Sequence, residues 1–258
     1  DEAISVTDYI ETEHIGDAFN QMMGRMKVLD DSRQEFVSNV SHELKTPLAS
    51  MKVLADSLLT QEDAPTELYR EFLTDIAEEI DRENKIITDL LSLVKMTRTS
   101  ADMNVESVDI NAVLELLLKR LGPIATRADV RLIFESRRPV IAEVDEVKLT
   151  LALSNLVENG IKYNNEGGWV KVILDADHQY FCVEVSDSGV GIPQESIEHI
   201  YERFYRVDKS HSKEIGGTGL GLAITRNAIL MHRGSISVNS EEGIGTIFTV
   251  RIPLTYIS

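Results

Sequence analysis

The sequence predicts an α+β chain: an antiparallel helical hairpin that pairs with its own copy into a dimeric four-helix bundle, followed by an α/β sandwich. Three observations carry this. Phe36, Val40, Leu44, Leu48 and Met51 recur every three or four residues, the period of an amphipathic helix. Leu68, Phe72, Ile76, Ile80, Ile87, Leu90 or Leu91, and Val94 repeat that pattern after a short break. Beyond residue 105, helical stretches alternate with runs of period two, as in a sheet covered by helices. A length of 258 residues favours two domains over one.

Taken in order, residues 1–35 carry Ile10, Ile15, Ala18, Phe19, Met22, Met23, Met26 and Leu29 at helical spacing. They read as a helix that starts near His14 or Ile15 and runs through Ser32, with the methionines as packing residues. Residues 36–60 and 67–98 read as two long helices, and Asp63, Ala64 and Pro65 mark the turn between them. So short a connection makes an antiparallel hairpin. One hairpin cannot bury its apolar stripe alone; two hairpins from two chains can, whereas the competing arrangement docks the stripe on the chain's own C-terminal domain. The polar residues 99–104 form the linker, and 105–258 form the second domain.

Within that domain, residues 110–127 read as a helix with Val113, Leu114, Leu117, Leu118 and Leu121 on one side. Residues 130–134 and 140–145 read as strands, and 146–162 as a helix. Residues 169–175 and 180–186 alternate around Asp177 and His178, a hairpin. Residues 195–204 read as a helix, 210–218 as a mobile glycine-rich segment, and 220–232 as a helix. A last hairpin joins 235–240 to 246–253. The strands are expected to form one mixed sheet.

Composition narrows the function classes. A formal net charge of −17 argues against a nucleic-acid surface, which needs a basic patch. The only cysteine, Cys182, rules out an internal disulfide and reads as a strand residue in a reducing compartment. The start is acidic and polar, unlike a signal peptide. No apolar run approaches the ~20 residues that span a bilayer. The chain as given is expected to be soluble, with any membrane attachment in segments outside it.

The chemistry-bearing residues fall into five groups. His42 lies beside the apolar stripe of the first long helix, directly before Glu43, and is read as a phosphate acceptor. HELKT is not the zinc motif HExxH, because its fifth residue is Thr46. Asn155 and Asn159 lie four apart in an otherwise apolar stretch, so their amides share a face; they suit either Mg²⁺ coordination with phosphate oxygens or capping and packing. In DSGVGI, residues 187–192, Asp187 ends a strand and can accept from an exocyclic amine such as that of adenine, although an Asx turn explains the motif equally well. In GGTGLGL, residues 216–222, a glycine-rich turn runs into a helix N-terminus, which favours an anion; no Lys-Ser/Thr follows, and the spacing is not GxGxxG. In ERFYRVD, residues 202–208, Arg206 can reach a phosphate, with Arg203 and Lys209 as weaker candidates, while Phe204 and Tyr205 read as core.

The order of these motifs, closed by Gly243-Ile-Gly-Thr, resembles the ATP-binding domain of histidine kinases, gyrase-like ATPases and mismatch-repair ATPases. With FVSNVSHELKTPLA upstream at 36–49, the chain resembles a class I sensor histidine kinase of bacterial two-component systems. Residues 15–23, IGDAFNQMM, resemble the end of a HAMP linker, which makes 1–35 a signalling helix. The resemblance implies a dimerisation and phosphoacceptor domain at 36–98 and a catalytic ATP-binding domain at 105–258. His42 would accept phosphate from ATP, Glu43 would act as general base, and Thr46 would orient water for dephosphorylating the partner regulator. Asn159 would bind Mg²⁺ with Asn155 in support, Lys162 and Tyr163 would flank the nucleotide, and Asp187 would read adenine with Gly189, Gly191 and Ile192 beside it. Gly217, Gly219 and Gly221 would face the phosphates beneath a lid at 210–218, with Thr218, Leu220 and Arg206 also binding the nucleotide. Leu151 stands where the family often has glutamine. The implied cofactors are ATP and Mg²⁺; the implied partners are a second copy and a response regulator, with no nucleic acid. The implied location is the cytoplasmic portion of a bacterial cell-membrane protein. A phosphatase-dominated module and a DNA- or client-moving ATPase are the competing classes.

Overall fold

A computed structural model describes residues 10–60, 65–97, 103–207 and 217–256. Most of the expected turn at 61–66, most of the linker and most of the lid lie outside them. The chain divides into two compact units at residues 83 and 84, within the second long helix.

The first unit is helical, and the helix on which it ends continues into the second unit from residue 84. Helix α1 runs unbroken over Ile10–Thr60, through Pro47, and α2 spans Thr66–Thr97. Phe36, Val40, Leu44, Pro47, Met51, Leu54 and Leu58 line the covered side of α1, whereas Leu48, expected there, is exposed. On α2 the expected single stripe is two. Leu68, Phe72 and Ile76 are half-buried, whereas Leu73, Ile80, Ile87 and Val94, spaced by seven, are 43% to 59% exposed. A seven-residue repeat keeps one seam in line along a helix. Ile15, Phe19, Met22 and Met26 form a second exposed apolar seam on α1, spaced by four, three and four.

The second unit contains β1 (Glu106–Asp109), α3 (Ile110–Arg127), β2 (Arg131–Ser136), β3 (Ile141–Val144), α4 (Glu146–Lys162), β4 (Trp169–Ala176), β5 (Tyr180–Asp187), α5 (Gly221–Met231), β6 (Ser235–Glu241) and β7 (Gly245–Pro253). The expected single sheet is two. Five strands run β2-β4-β5-β7-β6, with β2 and β4 parallel and the other neighbours antiparallel. The strand β1, not anticipated, pairs antiparallel with β3 in a separate ribbon. Val170, Val172, Leu174, Phe181, Val183, Val185, Phe248, Val250 and Ile252 alternate onto one buried face of the large sheet, against helices whose apolar sides are equally buried. The predicted helix at 195–204 is a 3₁₀ turn at Gln194–Ser196 followed by further turns. Most of its amides bond three residues back, as His199 N to Ser196 O and Glu202 N to His199 O do, and Phe204 leaves at φ +65°, outside helical space.

Helix α4 positions the site, and its start is locked. Asp145 caps it, accepting from Lys148 N and from Asn104 N at 3.0 Å. The buried His232, after α5, accepts from Asp145 N through Nε2 at 3.0 Å and donates through Nδ1 to Ala228 O at 2.7 Å, so the ring serves as the neutral tautomer. Burial pushes its pKa down, opposed by the Ala228 bond and by Asp145, and assisted by Lys148. A depressed histidine contributes stability that is present above the unfolded value of ~6.5 and is lost as pH falls towards the folded one. Thermal unfolding is therefore expected to be level from pH 8 to about 6.5 and to drop below that, with His232 as one cause. His232→Gln should lower stability by about 1–3 kcal/mol at pH 8 and flatten the slope; equal slopes in both proteins would show that His232 is not responsible.

Candidate nucleotide site and phosphoacceptor helix

The chemistry expected from the sequence falls on both units. His42, Glu43 and Thr46 lie on α1 in the first. His42 is exposed and Glu43 half-buried. Thr46 Oγ1 donates to the His42 carbonyl at 3.1 Å, which ties the threonine to the histidine's own turn. Pro47 has no N–H, so the Glu43 carbonyl one turn back loses its helical donor. Exposure leaves the imidazole open to a reaction partner, with a carboxylate as its sequence neighbour.

The remaining residues converge in the second unit at the C-terminal end of α4. Asp187 ends β5. Its Oδ1 accepts from Gly189 N at 2.9 Å and from Thr246 N at 3.2 Å, while Oδ2 has no partner among the described residues. Burial pushes its carboxyl up, and the two amide bonds pull it back. The loop after Asp187 lies against the end of α4: Val190 N donates to Tyr163 O at 3.0 Å, and a Cβ on Gly189 would overlap that carbonyl oxygen. The turn between β6 and β7 closes from the other side. Gly243 N donates to Val190 O at 2.8 Å, Ile192 N to Ser240 Oγ at 2.8 Å, and a Cβ on Gly191 would strike Glu241 O. This contact explains Gly243-Ile-Gly-Thr in the motif series: Gly245 passes directly over the Asp187 carbonyl.

The expected anion end is assembled on the same helix. Asn155 Nδ2 donates to Gly221 O at 3.1 Å, which ties α4 to the start of α5. Asn159, half-buried one turn later, makes no side-chain hydrogen bond among the described residues. Lys162 Nζ sits 5.2 Å from the Tyr163 ring centroid, and both side chains border Gly217. Burial pushes the Tyr163 hydroxyl up and Arg206 pulls it down, so Arg206 lies within electrostatic reach of this corner. Gly219 has φ +68°, and its carbonyl accepts from Phe204 N at 2.9 Å. Leu220 is buried. Thr218, also buried, donates to Asp89 of α2 at 2.7 Å, a partner with no sequence signal beyond an acidic helix residue. No cluster of three or more His, Cys, Asp and Glu suited to a metal occurs among the described residues. The Asn159 amide oxygen is a donor of the kind that suits Mg²⁺, a cation that shares phosphate oxygens and keeps waters.

Known proteins resemble this chain over both its helical and its α/β regions. Residues 32–99 match the family described as the His Kinase A (phospho-acceptor) domain, and residues 144–256 match the histidine kinase-, DNA gyrase B-, and HSP90-like ATPases. The sensor histidine kinase WalK of Bacillus subtilis (strain 168) is 35% identical over 228 residues, covering 87% of this chain and 37% of that protein. Sensor protein kinase WalK of Staphylococcus aureus is 34% identical over 255 residues, 98% of this chain and 59% of that one. This chain thus spans less than two thirds of either relative. Among solved structures, histidine kinase ThkA in complex with the response regulator TrrA aligns over 97% of this chain and 69% of that one, with a TM-score of 0.72 and 22% identity, a likeness of fold.

Two glycines separate scaffold from ligand. Gly189→Ala forces the loop off Tyr163 O and is expected to cost about 2 kcal/mol or more together with nucleotide binding. A Cβ on Gly221 would lie 3.6 Å from Asn155 Cγ, ordinary contact, and alanine favours a helix by about 1 kcal/mol. Gly221→Ala should therefore keep or raise the melting temperature while weakening nucleotide binding in calorimetric titration. Unchanged binding would remove Gly221 from the phosphate site.

Proposed function

We propose that this chain, which belongs to the sensor histidine kinases by its phospho-acceptor and ATPase domains, phosphorylates His42 from ATP and passes the phosphoryl group to an aspartate of a response regulator. One observation carries the reading: an exposed histidine followed by a carboxylate on a phospho-acceptor helix shares a chain with a glycine-walled site whose Asp187 keeps one oxygen without a partner among the described residues. In that site Asp187 Oδ2 accepts from the adenine amine, and Lys162 and Tyr163 border the nucleotide. The 217–221 turn and Arg206 take the phosphates, and Asn159 holds Mg²⁺ with Asn155 in support. When bound, Mg²⁺ neutralises charge on the phosphate oxygens.

In the transfer, a ring nitrogen of neutral His42 forms a bond to the γ-phosphorus, the bond to the β,γ-bridging oxygen breaks, and ADP departs with that electron pair. Glu43 takes the proton from the other ring nitrogen. The domains are 36–98 for dimerisation and phosphoacceptance and 105–258 for ATP binding, joined by 99–104, with 1–35 as the incoming signalling helix. The exposed heptad-spaced seam on α2 supports a homodimer, since a single hairpin leaves it in water. No described helix is long and apolar enough to cross a membrane.

A second activity, dephosphorylation of the regulator, is supported by the Thr46 hydroxyl. It is held against the His42 carbonyl on an exposed turn, where it can orient a water. Incubation with γ-labelled ATP and Mg²⁺ is expected to give acid-labile label on the wild-type chain, none on His42→Ala, and about 10²-fold slower labelling in Glu43→Gln. Full label on His42→Ala would overturn the reading. In the same preparation, Thr46→Ala should keep autophosphorylation and lose regulator dephosphorylation.

A further inference from the structure

The half of α2 from residue 84 onward belongs to the compact unit that holds the large sheet. There Asp89 makes a contact that the kinase reaction does not require. Its Oδ2 accepts from Thr218 Oγ1 at 2.7 Å, and the same hydroxyl accepts from Leu220 N at 3.3 Å, immediately before α5. Thr218 is buried and Asp89 half-buried. One turn before Asp89, Lys85 pairs with Glu158 of α4 at 3.6 Å, and Ser154 Oγ donates to the other oxygen of Glu158 at 2.9 Å. Burial pushes the Asp89 carboxyl up, while Thr218 and Lys85 pull it down and Glu158 opposes them. The chain thus spends a partly desolvated carboxylate on the turn that leads into a helix N-terminus, a place that favours an anion.

We propose that Asp89 sets the nucleotide specificity of the site by charge: it occupies the phosphate turn through Thr218 and weakens binding in proportion to the negative charge a ligand brings there. The inference rests on the reading of residues 217–221 as the phosphate turn. A polyphosphate that enters this turn meets the field of Asp89 and competes for the Thr218 hydroxyl. By linkage, the closed Asp89–Thr218 bond weakens ATP by the same factor as bound ATP weakens the bond. Adenosine, which has no phosphate, is indifferent to it. The Asp89 carboxylate bonds to Thr218 of the turn, so it bears on the site as a positioning residue and not as a catalytic one.

The test is calorimetric titration of the full chain in Mg²⁺ buffer with ATP, ADP and adenosine, comparing wild type, Asp89→Asn and Thr218→Val. Asparagine keeps the size and can still accept from Thr218, so a melting curve close to wild type is expected. Asp89→Asn should tighten ATP about tenfold at low salt, tighten ADP less and leave adenosine unchanged, and the gain should shrink as salt is raised. Thr218→Val, which removes the bond and leaves the charge, should not reproduce this graded gain. An equal change for all three ligands would mark a merely structural role and overturn the proposal, as would weaker ATP binding or no change. A wild-type chain that binds adenosine but gains nothing from phosphates would instead overturn the phosphate-turn reading, and the proposal with it.

Discussion

The fixation of Asp187 by two backbone amides is the contact on which the second unit's chemistry depends. Gly189 N and Thr246 N hold one carboxylate oxygen and so direct the other. That arrangement needs three chain segments to touch where side chains cannot fit. Gly189 lies on the Tyr163 carbonyl, Gly191 on that of Glu241, and Gly245 on that of Asp187. The glycines are therefore walls before they are ligand contacts. An added methyl group would displace a loop that carries the carboxylate, and a shift of an ångström would break the proposed contact with adenine.

Helix α4 collects the rest. Its buried side, Leu149, Ala152, Leu153, Leu156, Val157 and Ile161, fixes it on the sheet. Its other positions, Asn155, Asn159 and Lys162, are then delivered in register towards the glycine turn. The cap on Asp145 and the neutral His232 beneath it secure the start of that helix. In the first unit the same amphipathic logic serves another end. The covered stripe of α1 leaves His42 outside, and α2 carries an exposed heptad seam besides its covered one.

How far the sequence could be read follows from the range of each interaction. Helices α3 and α4 were legible to the residue because Asp109 and Asp145 announce their starts and their apolar periods are strong. The strand β1 was not: in Glu-Ser-Val-Asp only Val108 is buried, too little for an alternation. Residues 195–204 have helical composition, but Pro193 and the return of Phe204 to Gly219 hold them in short turns. The stripe on α2 merged two faces, because spacings of three and four cannot tell Ile76 from Ile80 until burial separates them. Asp187, the glycines and the asparagines were legible as a spaced series. Asp89 was not, since its partner lies 129 residues away and an acid on a helix usually faces water.

The central claim is that Asp187 Oδ2, which has no partner among the described residues, accepts a hydrogen bond from the exocyclic amine of adenine. It is tested most directly by comparing ATP with inosine triphosphate, which keeps the phosphates and sugar but has an oxygen in place of that amine. The account predicts that ATP binds and that inosine triphosphate binds at least about 10²-fold more weakly, because two acceptors would then face each other in a partly buried site. Equal affinity for the two nucleotides would contradict it.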